Sequence, residues 1–146
     1  MKISIHVDKE CPEMEIAISC ASLTPELERV LATLRMLDKQ LTVKKDDETH
    51  ILEVSKVIYI EAVERKVFVY TEEAVYETNL RLYELEQRLE EYGFFRVSKC
   101  CLIQLRYIKS LKADIDRRIR LTLENGEQII VSRQYADALK QRLGVK

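Results

Sequence analysis

Apolar and polar residues alternate at the start of the chain and then recur at helical spacing. Ile3, Ile5 and Val7 alternate with polar residues, and residues 14–19 alternate again, which predicts two half-buried strands. The dipeptide Thr24-Pro25 is typical of a helix start, because threonine caps a helix and proline suits its first position. The N-terminal pattern therefore predicts two strands followed by a helix.

The predicted helix has one apolar stripe, which consists of Leu27, Val30, Leu31, Leu34 and Leu37. A unit of about forty residues is small for independent stability, so this stripe has to pack against another surface. One alternative is the chain's own sheet. The other is a second copy of the chain, which would make a dimer.

The period of the pattern falls to two from Leu41 onward. Five short strands are predicted, at residues 41–45, 49–53, 57–61, 66–71 and 74–78. Strands this short and this closely spaced are typical of antiparallel hairpins. A second helix follows, with Leu82, Leu85 and Leu89 on one side and Gly93 at its end.

The C-terminal pattern predicts a hairpin and a last helix. Residues 118–123 alternate between basic and apolar positions, and residues 128–131 form the return strand. Asn125-Gly126 lies between them and predicts a type I′ turn, in which both central residues need a positive φ. Ser132 is expected to cap the last helix, which ends at Gly144.

Charge is distributed unevenly along the chain, although its 146 residues have a formal net charge of only −1. Residues 1–95 contain 12 Lys and Arg against 20 Asp and Glu, and residues 96–146 contain 12 against 5. The two parts therefore carry −8 and +7. A positive end of this kind favours a phosphate backbone as partner.

The composition excludes several classes of protein. No apolar run approaches the ~18 residues of a membrane span, and the N-terminus lacks the apolar core of a signal peptide, so we expect a cytoplasmic protein. The three glycines are assigned to helix ends and a turn, which leaves none for a phosphate-binding loop. Because hydrolase and metalloprotease motifs are also missing, we expect no enzymatic activity, no cofactor and no small-molecule substrate.

The four cysteines are not spaced as metal ligands, so we expect no metal site. Cys11 and Cys20 lie apart, and Cys100 and Cys101 are adjacent. In a reducing cytoplasm we expect four reduced, largely structural thiols. Redox sensing by the adjacent pair is the alternative.

Six short blocks follow one another in the C-terminal part of the chain. They are residues 57–62, 66–71, 82–89, 94–99, 107–108 and 125–133. They include the helical sequence Leu-Tyr-Glu-Leu-Glu-Gln-Arg-Leu and the sequence Phe-Phe-Arg-Val-Ser-Lys. In this order the blocks resemble the LytTR domain, the DNA-binding module of many bacterial transcription regulators.

The resemblance implies a fold of the α+β class. It predicts an elongated, mostly antiparallel β domain at residues 46–146, preceded by a small strand–strand–helix unit at residues 1–45. It also implies sequence-specific DNA binding by a transcription regulator, in which loops, not a recognition helix, enter successive major grooves. By position, the DNA contacts would be Arg65 and Lys66 between the first two strands, Arg96, Ser98 and Lys99 around a short helical turn, and Arg133 and Gln134 at the start of the last helix.

Elementary chemistry supports these residues. Arginine can donate two hydrogen bonds to guanine, and glutamine can bind adenine through two. Lys99, beside a helix N-terminus that Ser98 caps, would suit a phosphate oxygen. Further basic residues would hold the DNA backbone without reading sequence, namely Arg106, Lys109, Lys112, Arg117, Arg118 and Arg120. The alternatives are a structural salt bridge for Arg96 and a solvated strand face for Arg118 and Arg120.

The chain departs from the family pattern at Ser98, where histidine is usual, so base preference at that position is not carried over. At most ~50 residues precede the domain, too few for the receiver domain that most relatives carry. The chain thus resembles stand-alone members, whose genes commonly neighbour one for a small membrane protein, and such a protein is an expected partner. The alternative function is a protein-interaction module that binds a membrane or regulatory partner and has little affinity for DNA.

Overall fold

Two antiparallel β-sheets and three α-helices make up the described part of the chain. The structure is a computed structural model. It describes the backbone of residues 1–145 and all side chains in that range except those of residues 32, 33 and 35–38. The predicted stripe residue Leu37 therefore lies outside the described side chains.

The helices are α1 (Pro25–Asp38), α2 (Leu82–Leu89) and α3 (Arg133–Leu143). The strands are β1 (Gln40–Lys45), β2 (Glu48–Glu53), β3 (Tyr59–Val63), β4 (Lys66–Tyr70), β5 (Val75–Thr78), β6 (Phe94–Ser98), β7 (Cys101–Gln104), β8 (Ile108–Ala113), β9 (Ile119–Leu123) and β10 (Gln128–Val131). The large sheet has the order β2-β1-β5-β4-β3-β7-β6, and the small sheet has the order β10-β9-β8. No described helix is long and apolar enough to cross a membrane.

The central strands β3 and β7 of the large sheet are buried on both faces, and successive side chains of each strand point to opposite sides. Ile60 and Leu102 face the core that is covered by α2. Tyr59 and Ile103 face a second core, which is shared with the small sheet and α3. A shift of one residue in β3 or β7 would exchange these two sets, so the hydrophobic pattern fixes the register of the central strands.

The strands and helices that were predicted between Leu41 and Gly144 are found, with small shifts in the bounds, whereas β6, β7 and β8 were not predicted. The largest shift concerns β3, which was expected at residues 57–61 and is found at Tyr59–Val63. A short 3₁₀ turn at Val54–Lys56 precedes it. Val57 and Ile58 are buried although they lie ahead of the strand. The run of apolar residues therefore begins two residues before the strand hydrogen bonds of β3.

The expected division between residues 45 and 46 falls in the turn of the β1–β2 hairpin. Lys45 and Glu48 close this hairpin. Leu41 and Val43 of β1 belong to the core that α2 covers. The large sheet therefore extends to the N-terminal side of that division.

The two strands predicted within residues 1–20 are not formed. In the described chain the first strand begins at Gln40, and every residue from 1 to 20 is exposed. A turn does divide the segment, since the Cys11 amide donates to the Asp8 carbonyl at 3.2 Å. The alternation predicted strands, but a two-stranded hairpin is marginal unless a third element covers it.

α1 begins as predicted but is only partly covered. The Leu27 amide donates to Thr24 Oγ1 at 3.2 Å, which is the capping bond expected of threonine. The stripe residues Leu27, Val30, Leu31 and Leu34 are half-buried and belong to neither core. The alternative in which the stripe packs into the chain's own sheet is therefore not what the structure shows.

The hairpin at Asn125-Gly126 forms, but its turn is not type I′. Gly126 has a φ of 88°, whereas Asn125 is not among the residues with positive φ. The Leu123 amide donates to the Glu127 carbonyl at 2.8 Å, which closes a three-residue loop. The Glu127 amide donates to Asn125 Oδ1 at 3.0 Å. This local bond favours a type I turn followed by a left-handed glycine.

Two substitutions in α2 test the packing of the large sheet. Leu85 is fully buried, whereas Tyr83 of the same helix is 60% exposed. We expect Leu85→Ala to lower the free energy of unfolding by ~2–5 kcal/mol, and Tyr83→Ala to change it by less than about 0.5 kcal/mol. Urea denaturation measures both, and equal effects would contradict the packing described here.

Candidate functional site

The hairpin turns that carry several predicted contact residues lie at one edge of the large sheet. β3 pairs with β7 in antiparallel orientation, with Glu61 opposite Cys101. The Ala62 amide donates to the Cys100 carbonyl at 2.8 Å. Neighbouring strands are ~4.8 Å apart, so the β3–β4 turn with Arg65 lies beside the β6–β7 turn with Lys99.

The start of α3 joins the same edge. The Ser132 amide donates to the Val97 carbonyl at 2.9 Å, which fastens the end of β10 to β6. A cleft of about 480 Å³ is lined by Lys99, Asp116, Arg118, Ser132, Arg133 and Gln134. We call the surface formed by residues 64–66, 98–100, 115–118 and 132–134 the basic edge. It brings together three residues predicted as DNA contacts, Lys99, Arg133 and Gln134, and one predicted phosphate ligand, Arg118.

Lys66 lies at the end of the same edge, but its ammonium group has a partner. Lys66 Nζ is 3.8 Å from Glu77 Oε1 on the adjacent strand β5, and both side chains are more than half exposed. Such surface pairs contribute ~0–1 kcal/mol. The pair can therefore open when a stronger anion approaches.

Arg96 is held inside the protein by two different groups. Its guanidinium binds the Glu86 carboxylate of α2 at 3.2 and 3.4 Å. It also donates to the Lys99 carbonyl at 2.6 Å, and its side chain is only 16% exposed. Charge-assisted hydrogen bonds of this kind are strong, so Arg96 connects α2 to the turn that carries Lys99.

The short helical turn expected at Ser98 and Lys99 does not form. β6 continues to Ser98, a tight turn follows, and β7 begins at Cys101. Ser98 Oγ accepts a hydrogen bond from the Cys100 amide at 3.3 Å, so the hydroxyl supports a turn between two strands. Lys99 therefore projects from a hairpin tip and not from a helix N-terminus.

Ser132 occupies the position before α3, as expected, but its side chain does not cap the helix. Ser132 Oγ donates to the Val97 carbonyl at 3.5 Å. Its hydroxyl thus reinforces the contact with β6. The N-terminal end of α3, which carries the positive end of the helix dipole, lines the cleft without a cap from this side chain.

Arg120 is bound to its own sheet. Its guanidinium donates to Asp114 Oδ2 at 3.2 and 3.3 Å and to Gln128 Oε1 at 3.1 Å. The pKa of Asp114 lies below its usual value, because the carboxylate accepts the Ile115 amide and, as a second cause, pairs with Arg120. The solvated strand face predicted as the alternative for Arg120 fits this arrangement.

Arg106 and Lys109 lie away from the basic edge. Arg106 follows the far end of β7, where it donates to the Ser55 carbonyl at 2.6 Å and to the Tyr107 hydroxyl at 3.0 Å. Lys109 is exposed near the start of β8, at a bulge between Ile108 and Ser110. The structure does not bring these two predicted phosphate ligands together with the other basic residues.

Sequence reasoning missed the carboxylates that fix two of the arginines, Glu86 and Asp114. Asp114 lies six residues before Arg120, across the β8–β9 connection, so pairing the two strands correctly would have suggested the contact. Glu86 and Arg96 belong to a helix and a strand that meet only in the folded chain. No local pattern indicates their pairing.

The four cysteines are free thiols. Cys11, Cys20 and Cys100 are exposed, so the expectation of largely structural thiols is met only by the buried Cys101. Burial raises the pKa of the Cys101 thiol to about 12, which keeps it protonated and unreactive at neutral pH. Among the described residues, no group of three or more His, Cys, Asp or Glu side chains is placed to hold a metal ion.

Comparison with known proteins identifies the module that contains the basic edge. The family model of the LytTr DNA-binding domain matches residues 47–144. A solved structure, the LytTr DNA-binding domain of a protein described as a methyl-accepting/DNA response regulator from Bacillus cereus, is 30% identical. It superposes with a TM-score of 0.69 and covers 73% of this chain and 97% of its own.

Similar full-length proteins are also found. Uncharacterized HTH-type transcriptional regulators of Staphylococcus aureus strains MSSA476 and MW2 are each 29% identical over 147 residues. The alignments cover 99% of this chain and 99% of each relative. They therefore include the segment that precedes the matched domain.

Thiol labelling tests the geometry of the β6–β7 turn. We expect iodoacetamide to modify Cys100 in the native protein within minutes and to leave Cys101 unmodified until the protein unfolds, because Cys101 is buried and Cys100 is exposed. Mass spectrometry of tryptic peptides before and after urea treatment measures this. Equal labelling of the two adjacent thiols in the native state would show that β7 is not paired as described.

Proposed function

Because the chain belongs to the LytTR family of DNA-binding domains, it is a DNA-binding transcription regulator, and we propose that it reads DNA sequence through the basic edge. In this proposal the β3–β4 turn, the β6–β7 turn and the start of α3 enter successive major grooves on one side of the duplex. In the described chain, no two α-helices follow one another with only a short turn between them. Recognition by loops is therefore the mode that this fold favours.

The observation that carries the proposal is the cleft shared by Lys99, Arg133 and Gln134. All three side chains are exposed. Within the described residues, no ion pair is found for Lys99 or Arg133. These cations are thus available to a ligand, whereas Arg106 and Arg120 are bound to protein groups.

The side chains of the basic edge are suited to different parts of the DNA. Arg133 is suited to guanine, through two parallel hydrogen bonds to O6 and N7, and Gln134 to adenine. Lys99 and Arg65 present cations at two neighbouring hairpin tips, where they can bind phosphates or base edges. Arg118, together with the nearby Arg117, is suited to the phosphate backbone.

We assign Arg96 to positioning and not to direct contact. It would have to leave Glu86 and the Lys99 carbonyl in order to reach DNA. In its observed place it holds the tip of the β6–β7 turn. Ser98 acts in the same way, through its hydrogen bond from Cys100.

The wider organisation is part of the proposal. We propose that residues 46–146 supply DNA binding, that residues 1–45 form a regulatory or dimer-forming unit, and that the protein works in the cytoplasm, where it reaches the chromosome. A homodimer would present two basic edges to two half-sites. A small membrane protein remains a proposed partner on the family resemblance alone, and we propose no catalytic activity.

Binding to genomic fragments tests the function and the role of Arg133. We expect selective binding to duplexes with two similar half-sites, weakened about a hundredfold between about 50 and 200 mM salt if four phosphates are contacted. Arg133→Ala should reduce discrimination at one base pair by ~1–3 kcal/mol. Fluorescence anisotropy with base-substituted duplexes measures both effects.

The control is Arg142→Ala, which removes the same charge from the last turn of α3. It should weaken binding slightly and equally for all sequences. A uniform loss for Arg133→Ala would make Arg133 a backbone contact. Undetectable binding of the unmodified protein at low salt would contradict the proposed function.

Glu86→Gln distinguishes the two roles considered for Arg96. Removing a negative charge should by itself strengthen DNA binding, and it should do so further if Arg96 were released to contact DNA. If Arg96 positions Lys99, the loss of its partner should instead weaken binding to all sequences, by about threefold to tenfold. Glu84→Gln, the same change of charge on the same helix, is the matched control and should not weaken binding.

A further inference from the structure

The largest group of exposed apolar side chains lies in the segment that precedes the DNA-binding domain. Six of these residues follow the alternation of the first twenty positions. They are Ile3, Ile5, Val7, Met14, Ile16 and Ile18, with exposed fractions between 43% and 89%. Several of the other large exposed apolar residues, such as Ile51 at 67%, stand singly in the described sheets.

The turn at Asp8–Cys11 would bring these side chains to one face. A hairpin closed by this turn places Ile5 opposite Met14 and Ile3 opposite Ile16, because paired residues across a hairpin point to the same side. The two ends of the segment already lie beside α1. An open groove of about 470 Å³ is lined by residues 1–4 and 16–20 together with Leu27, Val30 and Leu34.

The same segment has unused backbone groups. No strand is formed within residues 1–20, so no β-ladder satisfies their N–H and C=O groups. An extended segment with free backbone donors and acceptors and one apolar face is a template for pairing with another strand. The sequence pattern and the backbone therefore indicate the same event, the addition of a strand.

We propose that a second copy of this chain pairs with this segment edge to edge, through antiparallel pairing of residues 2–8 of the two copies about a twofold axis at Ile5. In this register, the numbers of two paired residues add up to 10. Ile5 faces Ile5 of the second copy, and Ile3 faces Val7. Lys2 faces Asp8, which adds an attractive pair at each end of the interface.

Pairing with a second copy would remove the weakness of this segment. A two-stranded hairpin is marginal alone, whereas three or more strands with an apolar face can be stable. Two hairpins that pair through residues 2–8 form a four-stranded sheet, whose apolar side chains Ile3 and Ile16 border the groove beside α1. A twofold interface uses the same strand edge on both partners.

The charge of the segment argues against a lipid surface as the occupant. Residues 1–24 contain two basic side chains, Lys2 and Lys9, against Asp8, Glu10, Glu13 and Glu15. Segments that bind anionic membranes are instead rich in Lys and Arg. The relatives of equal length align over this segment as well, so it accompanies the DNA-binding domain in them.

The test is the mass of the full-length protein in solution, measured by size-exclusion chromatography with light scattering at micromolar concentration. We expect a dimer for the unmodified chain. Ile5→Lys should raise the dimer dissociation constant by at least about a hundredfold, because it places two lysines face to face. The DNA-binding domain should stay folded in the variant, since Ile5 is 86% exposed in the single chain.

Ile51→Lys is the matched control, because it adds the same charge to an exposed isoleucine of the edge strand β2. It should leave the dimer intact. A monomeric unmodified chain would overturn the proposal, and so would a dimer that survives Ile5→Lys. Dissociation by Ile51→Lys alone would place the interface at β2, which also overturns it.

The expected effect of the dimer on DNA binding rests on the proposed function. A measurement of DNA affinity separates the test of the dimer from the test of that function. Ile5→Lys should keep the affinity for a duplex with one half-site and lose the stronger binding to two. A protein that dimerises through Ile5 but binds no DNA would contradict the proposed function and leave this inference standing.

Discussion

The pairing of β3 with β7 is the constraint on which the rest of the structure depends. It fixes Glu61 opposite Cys101, and this register is enforced from both sides because β3 and β7 contribute side chains to the cores on both faces of the sheet. The same register brings the β3–β4 and β6–β7 turns to one edge. Burial of Ile60 and Leu102 under α2 thus determines where Lys99 is presented, far from the core itself.

Attachment of the small sheet extends this edge. The hydrogen bond between the Ser132 amide and the Val97 carbonyl fixes the start of α3 against β6. The interior arginine Arg96 then holds the β6–β7 turn to α2 through Glu86. Opposite charges are used inside the protein to build the scaffold, and the cations left at the basic edge are available for DNA. This explains how a chain with a net charge near zero can present a positive surface.

Periodicity was sufficient to predict most of the described elements after Gln40, because each helix has a single apolar stripe and many strands alternate between buried and exposed positions. Because β7 is buried at every position, periodicity did not predict this strand. It failed where one hydrogen bond decides between local conformations. The Ser98 hydroxyl supports a turn between strands and the Asn125 side chain selects a type I turn. Neither choice follows from residue type alone.

Two other limits have different physical causes. The alternation of Ile3 and Ile5 predicted a strand that does not form, because a strand needs a partner that this part of the described chain does not supply. The roles of Arg96 and Arg106 depend on groups 10 and 51 residues away in sequence. The sequence therefore shows how many basic residues there are, but not which of them are bound to other protein groups and which are available to a ligand.

Hydrogen–deuterium exchange of the full-length protein, with and without a bound duplex, tests the central claim most directly. The claim is that residues 64–66, 98–100, 115–118 and 132–134 form one continuous DNA-binding edge. The account predicts that DNA slows exchange at all four places together and leaves the segment around Arg106, at the far end of β7, unchanged. Protection at the far end, or at only one of the four places, would contradict it.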